Sequence, residues 1–183
     1  MLLEREPAAA PTPAETETDR AYEFNHADMI TLTSPAFRDG EAIPSRYTCE
    51  GENIHPELRI AEVPEGTVSL VLVMEDPDIP ESVKQNMGIE VFDHWVVFNM
   101  PAETTLIAER ETPPGIEGMN SAGQGYTGPC PPDGEHRYIF TLYAADTVLQ
   151  LNSAAGKAEV LEALQGHILE RTTLTGVYEK SNQ

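Results

Sequence analysis

Residues 69–80 read SLVLVMEDPDIP. The first seven form a short apolar run rich in β-branched side chains, which predicts a strand. Asp76-Pro77-Asp78-Ile79-Pro80 then brings two carboxylates and two prolines at once. Proline holds φ near one value and has no N–H to give a ladder, so the chain must leave the sheet here in a stiff turn. Such a turn either carries solvated aspartates or aims one carboxylate at a ligand. Ile79-Pro80 is also a candidate cis peptide.

Outward from this stretch the same texture recurs. Residues 29–33, 58–60, 92–100, 137–145 and 172–178 are short, apolar and bounded by Gly or Pro, and each predicts a strand. Helical spacing is clear in one place, residues 157–169, where Val160, Leu161, Leu164 and Ile168 make one stripe and Gly166 is the expected stop. A β core with one late helix points to a mostly β fold, a sandwich rather than a doubly wound parallel sheet.

Polar side chains enter this pattern at strand ends. In FDHWVVFNMP (92–101), alternation puts His94 on one face with Val96, Phe98 and Met100, and Asp93, Trp95, Val97 and Asn99 on the other. A histidine in that position is either a hydrogen-bonded core group or a donor whose charge changes near neutral pH. Residues 123–134 are dense in Gly and Pro and lead into His136-Arg137-Tyr138, with His136 and Tyr138 on one side of the next strand and Arg137 on the other. Two donors at the mouth of a strand beside a stiff loop make a candidate cradle for an anion.

The chain has 183 residues, one domain in length, and residues 1–26 are read as a flexible Pro-rich acidic tail ahead of a domain at 27–183. Its 11 basic and 31 acidic residues give a net charge of −20. That balance argues against nucleic acid, which is gripped by Lys and Arg displacing counterions, and against charge-driven binding to anionic lipid. Lysine occurs only at Lys84, Lys157 and Lys180. An acidic, lysine-poor surface suits concentrated salt, where the Debye length falls to about 3 Å at 1 M, so a salt-loving microbial cytoplasm is one expectation and an ordinary acidic protein the other. The start lacks a basic end followed by an apolar stretch, and no window approaches the roughly 18 apolar residues of a membrane helix, so a cytoplasmic protein without membrane insertion is expected. Cys49 and Cys130 are too few and too far apart for a disulfide framework or a zinc ribbon, and they read as free thiols, with a single bridge as the alternative.

Five stretches, YTCEGENIHPEL (47–58), VPEGTVSLVLVMEDPDIP (63–80), FDHWVVFNMP (92–101), GYTGPCPPDGEHRYIFTLYAAD (125–146) and GHILERTTLTGVYEK (166–180), resemble the phosphatidylethanolamine-binding protein family, also called the Raf kinase inhibitor protein family. The likeness is greatest to its short bacterial and archaeal, YbhB/YbcL-like, branch, and it runs in order over about residues 29–180. It implies an antiparallel Greek-key β-sandwich with a small surface cavity for a phosphate or similar anion. Carried over, Asp76, His94, His136 and Tyr138 would line that cavity, and Gly128 and Pro129 would form part of its wall. The chain stops soon after Tyr178, without room for the closing C-terminal helix of the longer animal members.

The function expected from these readings is binding of a small anionic or phosphate-bearing ligand, with a regulatory, kinase-inhibitor-like role, no cofactor and no metal. One rival is an inhibitor of a serine protease or kinase acting through a surface loop such as 79–93 or 110–128, and a homodimer is left open. A weak metal-dependent hydrolase is the other rival, although the chain has no HExxH, GxSxG or P-loop motif.

Overall fold

The computed structural model describes residues 29–181. The tail expected at 1–26 lies outside them. Eight strands and two helices follow in the order β1 (Thr31–Thr33), β2 (Leu58–Ala61), β3 (Ser69–Asp76), α1 (Glu81–Met87), β4 (Phe92–Pro101), β5 (Leu106–Ile107), β6 (Ile116–Glu117), β7 (Glu135–Ala145), α2 (Lys157–Ala163) and β8 (Ile168–Glu179). A three-stranded sheet runs β1-β2-β5 and a five-stranded sheet runs β6-β4-β3-β7-β8, with every ladder antiparallel. The fold is mostly β, as the strand pattern implies.

β3 lies at the centre of the larger sheet, and its five consecutive buried apolar residues, Leu70 to Met74, serve both faces. Leu70, Leu72 and Met74 pack between the sheets with Trp95, Tyr138, Phe140, Leu58 and Ile60, while Val71 and Val73 pack on the outer face with Val96, Phe98, Val160 and Leu164. α2 covers that outer face. Burying Val160 and Leu164, both fully enclosed, contributes on the order of 2 kcal/mol each.

The helical expectations need correction in two places, the reach of the late helix's stripe and a second helix, while Gly166 ends the late helix as expected. α2 stops at Ala163, well short of residue 169, because Gly166 turns the backbone at φ 79° and Ile168 is drawn into β8, where it pairs with Ala145 and is 43% exposed. A second helix, α1, is present where none is expected. It buries no residue, so no apolar stripe marks it, and its signals are Pro80 at the N-cap and left-handed Gly88 at the C-cap. The Ile79-Pro80 bond is trans, since no cis peptide occurs among the described residues. The ordinary trans preference of about 0.5–1 kcal/mol prevails there.

The cysteines are also corrected. Cys49 and Cys130 form a disulfide with a Cα–Cα distance of 5.4 Å across a sequence separation of 81. The 123–132 loop is folded back onto the segment after the short 3-10 turn Ser45–Tyr47 by three further contacts. Tyr126 Oη donates to the Tyr47 carbonyl at 2.8 Å, the Gly128 N–H to Asn53 Oδ1 at 2.8 Å, and the Cys49 N–H to the Pro129 carbonyl at 3.0 Å. A pairing assembled by tertiary hydrogen bonds leaves no mark in cysteine spacing. The approach also explains Gly128, where an added Cβ would lie 2.5 Å from both Asn53 Oδ1 and the Tyr47 carbonyl oxygen.

Candidate functional site

The DPDIP turn is locked to β7 from both of its carboxylates. Asp76 Oδ1 accepts the Asp78 N–H at 2.8 Å, closing the turn on itself. Asp78 takes Arg137 in a fork, from Nε at 2.8 Å and from Nη2 at 2.6 Å, and also accepts the Arg137 backbone N–H at 3.0 Å. The hydrogen bond from the Arg137 guanidinium holds the Asp78 carboxyl below its usual range. Arg137 is therefore a clamp on the outside of the strand, and alternation turns His136 inward.

Inside, His136 Nδ1 donates to Asp76 Oδ2 at 2.7 Å, and its Nε2 faces Asp133 Oδ1 at 3.3 Å. Asp76 and His136 are 2% and 3% exposed. Burial works against a charged ring, yet the hydrogen bond and charge of Asp76, with Asp133 adding to both, outweigh it and raise the His136 pKa above 6.5. The protonated ring and the carboxylate then form a compensated buried pair.

His94 has the opposite electrostatics. Alternation along β4 breaks at this residue, because Met74 pairs with Trp95 and Glu75 with Asp93, leaving His94 as the extra residue of a bulge. The face expected for it is thus corrected. Its ring does not join Val96 and Phe98 on the outer face but lies edge-on to Tyr138, with centroids 5.1 Å apart, and 4.8 Å from Phe92. His94 Nδ1 donates to the Thr127 carbonyl at 2.7 Å, and the Thr127 N–H returns to the His94 carbonyl at 2.9 Å. Burial lowers the His94 pKa, with the Thr127 hydrogen bond and the Asp76 charge only partly offsetting it. The neutral ring therefore carries its proton on Nδ1 and offers a lone pair at Nε2.

A cavity of about 200 Å³ opens at this end of the sandwich. Asp76, His94, Thr127 and Gly128 make its polar side, and Ile79, Val83, Phe92 and Pro132 the apolar one, with Cys130 between. Of the side chains expected at the site, Asp76, His94 and Gly128 lie on the wall. His136 sits behind Asp76, Tyr138 lies behind His94, and Pro129 is buried with its carbonyl turned to Cys49. The Tyr138 hydroxyl is fully buried without a well-formed hydrogen bond, and burial drives its pKa far up despite the nearby Cys130 backbone N–H. Val83 and Phe92 went unread in the sequence, Val83 because α1 has no periodic signal and Phe92 because an apolar residue at a strand start is ordinarily core. Among the described residues, no group of three His, Cys, Asp or Glu side chains is placed to hold a metal ion. No helix among them is long and apolar enough to cross a membrane.

The chain is similar to known proteins over most of its length. The phosphatidylethanolamine-binding protein family model covers residues 33–179. A UPF0098 protein of Methanothermobacter thermautotrophicus is 45% identical over 158 residues, spanning 82% of this chain and 99% of its own, and one of Chlamydia trachomatis is 44% identical over 152 residues, spanning 82% and 99%. Among solved structures, the phosphatidylethanolamine-binding protein homologue CT736 of Chlamydia trachomatis superposes with a TM-score of 0.80 at 41% identity, covering 84% of this chain and 99% of its own. Escherichia coli YbcL, described as a member of the mammalian family, gives 0.74 at 30% identity, covering 83% and 99%.

Proposed function

Because the chain belongs to the phosphatidylethanolamine-binding protein family, we propose that it binds a small anion, a phosphate or phosphate-bearing headgroup, in the cavity walled by Asp76 and His94, and that it takes up a proton in doing so. The observation that carries this reading is the state of His94. Its Nδ1–H is committed to Thr127 and burial keeps the ring neutral, so Nε2 meets an anion with a lone pair. Protonation turns that nitrogen into a charge-assisted donor, and the anion stabilises the cation that burial disfavours.

The compensated Asp76–His136 pair supports the same reading, since a carboxylate left alone would repel the ligand. The buried Tyr138 hydroxyl beside the ring has the Cys130 N–H nearby and no acceptor for its own proton, the kind of incompletely satisfied group that binding sites carry at a stability cost. Charge-assisted hydrogen bonds contribute roughly 1.5–3 kcal/mol each, which places affinity between about millimolar and micromolar.

Sulfate tests the proton linkage, because its charge is constant from pH 5 to pH 8. Calorimetric titration is expected to show affinity rising as pH falls, by up to about tenfold per pH unit where the free ring is neutral, and His94→Ala should abolish both binding and slope. Sulfate and phosphate binding that survives His94→Ala, or that ignores pH, would defeat the reading. The role is regulatory binding rather than turnover; steady hydrolysis of a phosphomonoester by the pure protein would overturn that part.

A further inference from the structure

The loop that walls the first cavity also contributes Gly125 and Tyr126 to a second one, of about 220 Å³, in which neither Asp76 nor His94 takes part. Its chemistry is of the other sign. Glu117 stands in it from β6, with Oε1 accepting the Trp95 indole N–H at 2.9 Å. Trp95 is fully buried, so the carboxylate is fixed from behind by a neutral donor. Among the described residues no Lys, Arg or His pairs with Glu117.

The arginine on the wall is already engaged, and both ring nitrogens of His55 face backbone carbonyls, of Pro56 at 3.1 Å and Glu111 at 2.8 Å. Arg110, in the left-handed region at φ 65°, turns its guanidinium to Glu52, which is shared with Arg46, and Arg46 reaches Glu109 at 2.8 Å. That row of two guanidinium groups and two carboxylates has no net charge, and the wall's own carboxylates, the half-buried Glu117 and the exposed Glu111, have no cationic partner among the described residues. Two rings, His55 and Tyr126, share the wall with Glu117 and with polar and apolar residues such as Asn53, Thr112 and Pro113. His55 stacks on Trp95 at 4.6 Å, and Tyr126 stands edge-on to both rings, at 6.0 Å and 5.5 Å. The rings brace one another, so the Tyr126 side of the cavity is a rigid surface.

A half-buried carboxylate, held by a neutral donor and flanked by aromatic rings, is complementary to an organic cation: the carboxylate neutralises the charge and accepts N–H donors, and the rings receive the carbon and the cation's field. We propose that this second cavity is a binding site for a small alkylammonium ligand, with the ammonium on Glu117 and the alkyl chain against Tyr126. The carboxylate has a fixed orientation before the ligand arrives, which lowers the ordering cost of binding.

Trp95 is the only tryptophan of the chain, so its emission reports on the carboxylate it touches. Titration of the whole protein with n-propylammonium chloride is expected to give a saturable emission change with a dissociation constant in roughly the millimolar range. Equimolar potassium chloride and n-propanol should give none. Glu117→Gln keeps an oxygen for the indole and removes only the charge, so it should weaken n-propylammonium at least tenfold and leave sulfate binding in the first cavity unchanged. An identical response to potassium chloride, no saturable response, or equal affinity in Glu117→Gln would each refute the site. Because the salt and alcohol comparisons use the unaltered chain, the proposal stays testable if the variant fails to fold.

Discussion

A single proton on His136 links the buried pair to stability. The His136 pKa is raised above 6.5 in the folded chain, so the pair's contribution is complete below about pH 6.5 and is lost as pH rises through the folded value. His94, whose pKa is lowered by burial, acts below 6.5 instead, where the unfolded ring takes a proton that the folded ring refuses. The two effects therefore separate on the pH axis. Asp76→Asn should cost about 1.5–3 kcal/mol in urea unfolding at pH 6, and the gap from the native chain should narrow by pH 9. A gap that stays constant over that interval would mean the pair carries no proton linkage. Asp76 and His136 could be read from the sequence because proline rigidity at 77 and 80 and alternation at 136–138 are local properties. The His94 side was not, since the bulge that re-aims it arises from pairing with β3, a strand 18 or more residues earlier.

The loop 123–132 shows how little of an assembled wall is local. Its Gly and Pro content predicts stiffness, but its position comes from Tyr47, Asn53 and Cys49 on a segment far away in the chain. Closing a loop of 81 residues by a disulfide restricts the unfolded chain by about 4.5 kcal/mol in the chain-entropy view, an upper estimate. Replacing both Cys49 and Cys130 by Ser should lower stability by 2–5 kcal/mol, make the protein insensitive to dithiothreitol, and weaken sulfate binding less than His94→Ala does, because three hydrogen bonds still tether the loop. Loss of reductant sensitivity without loss of stability would show that those hydrogen bonds alone set the loop. The helices repeat the lesson in another form. α2 is readable where its apolar stripe meets the sheet, and unreadable at its end, where Ile168 prefers a ladder to a stripe.

Across the whole molecule, a net charge of −20 must be held on one compact body. Half-buried Lys157 pairs with Asp93 and Glu75 over the outer sheet face, and 11 basic residues cannot pair 31 acidic ones. Their mutual repulsion is screened as the Debye length shrinks from about 10 Å at 0.1 M to about 3 Å at 1 M salt. The urea midpoint should therefore climb as potassium chloride rises over that range, and a midpoint that does not move would remove the case for a salt-adapted surface. Composition, strand texture and the two short motifs were enough to determine a mostly β fold, its charge and a few polar positions, Asp76 and His94 among them, that the structure brings to the first cavity, because each depends on neighbours a few positions apart. Which side of a strand His94 faces, whether Cys49 and Cys130 meet at all, and the existence of a carboxylate pocket beneath Tyr126 were decided only when distant segments packed, because those features are contacts between chain regions whose separation carries no periodic signal.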